Sequence, residues 1–98
     1  MTKKELAKYV AERTGSTYQV TMNITDEIFK TIAEKMSISE KVQISGFGTF
    51  STIEKGEREG RNPYSGESVR IQAHLSPRFK AGKNLKDKMR TAYQRNSI

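Results

Sequence analysis

The sequence predicts an α+β fold. Two amphipathic helices come first, then a three-stranded antiparallel sheet in which one hairpin is greatly lengthened, then a short C-terminal helix. Three observations carry this reading. Apolar residues recur at helical spacing as far as Met36, and from Lys41 the period drops to two. Beyond Ile53 some fifteen largely hydrophilic residues follow before β alternation returns at Val69.

The first helix opens on a capping box. Thr2 is placed to accept from the N–H of residue 5, and Glu5 to reach back to the N–H of Thr2. Leu6, Ala7, Val10 and Ala11 share one face, and Gly15 suits the left-handed residue that ends a helix. Thr17 caps a second helix from about Tyr18 to about Met36. Its Ile24, Ile28, Phe29, Ile32, Ala33 and Met36 form a wide apolar stripe, and the pair makes an αα-hairpin. "SISEK" closes that helix without a glycine, so local sequence does not fix its end.

"KVQIS" alternates Val42 and Ile44. "GFG" offers a tight turn through Gly46 and Gly48, and "TFSTI" resumes a strand, with Phe47 and Phe50 supplying bulk. The return strand is legible in "SVRIQ" and "HLSPRFKAG", the latter bringing Phe79 into the sheet. Between them "NPYSG" is the turn: Pro63 fixes one backbone angle and Gly66 tolerates positive φ. In "GKNLKDKMRTAY", Leu85, Met89 and Ala92 lie on one helical face, with Lys83, Lys86 and Arg90 on the other. There is no internal repeat.

Composition narrows the function. With 98 residues, 34% of them hydrophobic and none of them Trp, the chain builds only a small core, and a partner subunit is the expected source of the rest. The absence of cysteine excludes disulfides, thiol catalysis and thiolate metal sites. No apolar run reaches membrane-span length and no signal-peptide pattern opens the chain, so a cytoplasmic location is expected. The net charge of +7 is uneven: from Arg70 to Arg95 eight basic residues meet a single acid, Asp87. Such asymmetry points to a polyanion, whether nucleic acid or an anionic membrane surface. Catalysis finds little support. The sole histidine, His74, has no carboxylate cluster beside it, and "GFG" and "GKN" are too short for a phosphate-binding loop. No cofactor or metal is expected.

A long charged hairpin beyond the core is marginal in water unless something binds it. "GFGTF" (46–50), "GRNPYSGE" (60–67) and "SPRFKAGKNLK" (76–86) together resemble the signature segments of the HU/integration host factor family of bacterial DNA-bending proteins. The likeness extends over residues 1–90 without a gap and leans towards HU. It implies an intertwined dimer with a helical base, sheets forming a saddle, and one DNA-binding arm per subunit. On that likeness the chain is a single HU-like domain over 1–98. Its helical dimerisation region is 1–40, its sheet 41–82 with the arm at about 54–74, and 83–98 form the C-terminal helix and a short tail. Matching positions give Lys3, Lys55, Arg58, Arg61, Asn62, Pro63, Lys80, Lys83 and Lys86 as DNA-binding, with Pro63 as the wedge that inserts between base pairs, and the charge of the arm adds Arg70. Ile28, Phe29, Ile32, Ile44, Phe47, Phe50 and Phe79 are the expected dimer core. Lys3 and Asp26 match a surface pair of the family. The implied function is nucleoid-associated binding and bending of double-stranded DNA with little sequence specificity, favouring bent or nicked DNA. A homodimer is expected, with a related chain as the alternative partner. A sequence-preferring or phage-encoded architectural factor is the alternative function. RNA binding through Tyr64 ranks below both.

The chain departs from the family pattern in several places. Ile53 stands where several members are basic, Thr52 where an apolar residue is usual, and Leu75 and Ser76 look exchanged. A shifted alternation, a bulge or an Ile53–Leu75 contact would each account for this. Ser16 replaces a usual apolar residue. Glu57 and Glu59 share a face with Arg61 in strict alternation and are expected either to restrain it in the free protein or to weaken binding relative to more basic relatives. Residues 91–98 read as a frayed tail, the alternative being a further helical turn carrying Arg95 towards DNA flanks.

Overall fold

The computed structural model of the chain describes residues 1–96. The chain divides into two compact units, Met1–Glu34 and a second from Lys35 onward.

Helix α1 (Lys3–Thr14) starts where Thr2 Oγ1 accepts from the Glu5 N–H at 3.2 Å, one arm of the expected capping box. It ends at Gly15, whose φ of 71° puts it in the left-handed region. Thr17 then caps α2 (Tyr18–Ser37), its hydroxyl accepting from the Val20 N–H at 3.2 Å. In the first unit Ala7 and Ala11 are buried, and Thr21 is buried with its hydroxyl donating to the Thr17 carbonyl at 2.9 Å. The larger apolar side chains stay open. Leu6, Val10, Ile24, Ile28 and Phe29 are each between 40% and 56% exposed and line one groove together with Ser16. The helical face foreseen from spacing exists, yet its bulky members have little of this protomer to pack on.

The end of α2, which the sequence left open, is set by a residue other than glycine. Ser39 has a φ of 60°, its N–H donates to the Met36 carbonyl at 3.0 Å, and the Glu40 N–H donates to the Lys35 carbonyl at 2.9 Å. This pair of bonds is the Schellman motif, with serine in the position that glycine usually takes. A Lys35–Glu40 ion pair at 3.5 Å spans the same turn.

In the second unit, β1 (Val42–Ile44) pairs with β2 (Gly48–Lys55), which pairs with β5 (His74–Ala81), all antiparallel. Phe50 lies opposite Phe79 with ring centroids 4.8 Å apart, and Phe47 meets Phe79 at 5.7 Å. Residues opposite each other share a face, so one face carries Val42, Ile44, Phe50 and Phe79. Gly48 is buried under this cluster: a Cβ there would lie 2.6 Å from the Phe79 ring and 2.7 Å from the Lys80 carbonyl. Glycine is required by that approach.

β3 (Arg58–Arg61) and β4 (Ser68–Ile71) form a separate two-stranded ribbon. Lys55 pairs with His74 below the break and Arg58 with Ile71 above it, the same advance on both strands. Neither strand therefore gains a residue, and the arm base holds no bulge. The Ile53–Leu75 contact does not form either. Ile53 is opposite Ser76 and Leu75 opposite Glu54, which puts the two apolar residues on opposite faces. The unusual order is a shifted alternation. Thr52 occupies the apolar face, and its hydroxyl donates to the Met36 carbonyl at 3.4 Å.

Helix α3 (Lys83–Asn96) follows Gly82, whose N–H donates to the Phe47 carbonyl at 2.8 Å. The expected frayed tail is corrected here: residues 91–96 continue the helix, while 97–98 lie outside the described residues.

Candidate nucleic-acid interface

The second face of the sheet is polar and cationic. Thr49 and Lys80, Ser51 and Arg78, Ile53 and Ser76, and Lys55 and His74 are opposed along it. Lys41, Gln43, Thr49, Ser51, Arg78 and Lys80 line one shallow depression on this face. An adjoining cleft is lined by Thr49, Lys80, Lys83, Lys86, Asp87 and Arg90. Four cations and one acid thus line this cleft, and of the four Arg90 pairs with the acid, its Nη1 3.6 Å from Asp87 Oδ1. Lys80, Lys83 and Lys86, expected together as DNA-binding, line this one cleft. Lys41, Arg78 and Arg90 are additions. The signal for Arg78 was present, because it stands two residues from Lys80 on a strand whose Phe79 points the other way.

The arm divides its arginines between its faces. Arg58 lies opposite Ile71, and Gly60 opposite Val69, so Arg58 shares the apolar side of the ribbon. A Cβ on Gly60 would sit 3.0 Å from Ile71 Cδ1, so glycine lets that isoleucine fold across the ribbon. On the other face Glu59 is opposite Arg70 and Arg61 opposite Ser68. Here the expectation that Glu57 and Glu59 restrain Arg61 is corrected. Glu57 forms an ion pair with Arg70 Nε, while Glu59 stands directly across from the same arginine. Cross-strand pairing outcompetes sequence proximity because opposed and diagonal residues on one face come within side-chain reach.

The tip is a closed turn. The Asn62 N–H donates to the Glu67 carbonyl at 2.8 Å, and the Gly66 N–H to the Asn62 carbonyl at 2.8 Å. Asn62 Oδ1 accepts from the N–H groups of Tyr64 at 2.9 Å and Ser65 at 3.4 Å, and Ser65 Oγ accepts from the Glu67 N–H at 3.3 Å. Gly66 has the positive φ the turn needs, 73°. Asn62 oxygen is therefore committed to shaping the turn, and Pro63 is left exposed at its apex.

Lys3 belongs to the first unit, where Nζ lies 2.6 Å from Asp26 Oδ1 with both side chains about half exposed. The pair suggested by sequence forms. His74 is an exposed strand residue whose Nδ1 donates to the Gln72 carbonyl at 3.0 Å. Among the described residues no helix is long and apolar enough to cross a membrane.

A basic α+β chain whose sheet has one apolar and one cationic face, and whose central hairpin runs on into a proline-tipped ribbon, is a β-ribbon-arm protein. The chain belongs to the HU-type bacterial DNA-binding protein family, the model for bacterial DNA-binding protein matching residues 1–90. It is 45% identical over 85 residues to DNA-binding protein HU of Lactococcus lactis, covering 87% of this chain and 93% of that protein. It is 44% identical over 87 residues to the SPbeta prophage-derived DNA-binding protein HU 2 of Bacillus subtilis, covering 89% and 95% respectively. The solved Anabaena HU–DNA cocrystal structure superposes with a TM-score of 0.85 at 38% identity, covering 91% of this chain and 97% of that one.

Proposed function

We propose that the chain is an architectural DNA-binding protein. It works as a dimer, binds duplex DNA through the minor groove and phosphates with little sequence specificity, bends it, and helps compact the nucleoid in the bacterial cytoplasm. The observation that carries this reading is the arm: a ribbon in unbroken register with the sheet, ending in a hydrogen-bonded turn that presents Pro63 to solvent. A two-stranded ribbon standing alone is marginal, so a partner surface is the natural source of its packing.

Each feature then has a part. Lys80, Lys83, Lys86, Arg78 and Arg90 supply point charges and guanidinium forks for phosphates, contacts that position DNA without reading its bases. Arg58, Arg61 and Arg70 run along an arm that suits the narrow, electronegative minor groove, with Lys55 at its root. Asn62 shapes the tip, and Lys3 meets flanking phosphate once released from Asp26. Pro63 acts as the apolar wedge, as is general for minor-groove proteins of this class. Its ring has no N–H, so burying it against a base leaves no donor unsatisfied. The half-exposed Ile28, Phe29, Ile44, Phe47 and Phe79, with Phe50 and Ile32, form the dimer core. Covering half of one such side chain is worth about 1 kcal/mol. The chain has no catalytic role in this reading.

The test is energy transfer between dyes at the two ends of a short duplex. Wild-type protein should shorten the end-to-end distance, and its affinity should fall steeply with salt as counterions are released. Binding with an unchanged distance refutes the mechanism. The Glu57–Arg70 pair adds a second expectation. Glu57→Gln releases Arg70 for phosphate, so the slope of log affinity against log salt should steepen by about 0.9 per arm. A slope identical to wild type would show that the Glu57 pair does not withhold Arg70 from DNA.

A further inference from the structure

The arm tip carries one side chain that the fold does not use. Tyr64 is 98% exposed, more than any other large apolar or aromatic residue among those described. Its backbone N–H is fixed to Asn62 Oδ1, but its ring enters no hydrogen bond, ion pair or ring contact among the described residues. Its neighbours in the turn all have structural work. Asn62, Ser65 and Gly66 close the turn through hydrogen bonds or positive φ, and Glu67 supplies both a donor and an acceptor. The turn would close as well with a small polar residue at 64. A phenol ring held in water there gains nothing from the fold and keeps its whole face free for a ligand.

Placement says which ligand. Tyr64 adjoins Pro63, so whatever surface the proline reaches lies within the reach of the tyrosine ring. On the proposed bending function, on which this inference rests, a wedge opens a base step and uncovers base surface larger than a pyrrolidine ring. A six-membered aromatic ring matches that surface, and stacking on it is tolerant of sequence because every base has a π face. The tip backbone is already fixed by hydrogen bonds, so stacking restricts only two side-chain torsions. We propose that Tyr64 stacks on a base that has lost its own stacking neighbour at the arm tip. The stack adds to the binding of any duplex that leaves a base unpaired at that tip, as opposite a one-nucleotide gap.

Three substitutions separate the chemistry of the ring. Tyr64→Phe keeps the π face and removes the hydroxyl, Tyr64→Leu keeps apolar bulk without a π face, and Tyr64→Ala removes both. Affinities for a gapped and an intact duplex of equal length are measured for each, with bending of the intact duplex read in the same samples. Wild type and Tyr64→Phe should share one gapped-to-intact preference. Tyr64→Leu and Tyr64→Ala should lose about tenfold of it, as expected for one base–aromatic stack. A 2-aminopurine opposite the gap should be quenched by wild type and not by Tyr64→Leu. All four proteins should melt together, because the turn's bonds use only the backbone of residue 64. Bending by wild type with an unchanged preference in Tyr64→Leu and Tyr64→Ala overturns this inference alone. Failure of wild type to bend DNA overturns the proposed function, and this inference with it.

Discussion

Pro63→Ala should leave duplex binding nearly intact while abolishing most of the bend. In the proposed function, affinity rests on phosphate contacts spread over the sheet face, the cleft and the arm, none of which needs the pyrrolidine ring. The loss in affinity for intact duplex should therefore stay within about threefold at moderate salt, with an unchanged salt slope. Bending is different. Opening a base step costs a few kcal/mol, and an inserted apolar ring is what offsets it. An alanine methyl covers too little base surface to hold the step open. The turn itself should survive, since Asn62 Oδ1 still accepts from Tyr64 and Ser65 and Gly66 still donates to the Asn62 carbonyl. The readout is end-to-end energy transfer at saturating protein. A bend equal to that of wild type would remove Pro63 from the mechanism.

Gly48→Ala is the second large effect, and it falls on stability. The added methyl would stand 2.6 Å from Phe79 Cε1 and Cζ and 2.7 Å from the Lys80 carbonyl oxygen. The ring can shift only at the expense of its contacts with Phe47 and Phe50. The carbonyl belongs to the strand paired with Gly48 and cannot move without opening the β2–β5 ladder. Overpacking of this kind costs about 1–3 kcal/mol per protomer. For a domain this size that is a fall in Tm of roughly 10 °C at fixed protein concentration. Gly56→Ala is the matched control, since no atom lies within 4 Å of its added methyl and its φ is not positive. Equal melting of Gly48→Ala and wild type would contradict the packing described.

Much of the fold is readable residue by residue. Thr2, Gly15 and Thr17 mark helix ends through bonds closed within a few residues, and Gly66 and Pro63 mark a turn in the same way. The end of α2 was not readable, because Ser39 adopts a backbone conformation that its side chain does not favour. What holds it there is the pair of bonds back to Lys35 and Met36, which any residue could make. The candidate site divides similarly. The basic cluster of the second half and the exposed proline follow from order along the chain. The capture of Arg70 by Glu57, and the placing of Lys41 beside Arg78 and Lys80, do not.

The elements, their order, the cationic second half and the proline at the tip are all legible along the chain, because periodicity, capping and turn chemistry act over a few residues. Tertiary structure alone decided which side chains meet. It placed Ile53 on the cationic face and Thr52 on the apolar one, divided Arg58 from Arg61 and Arg70, and set Glu57 and Glu59 against Arg70 of the opposite strand. Strand register does this, since it joins residues distant in sequence and a shift of one position would turn every side chain to the other face.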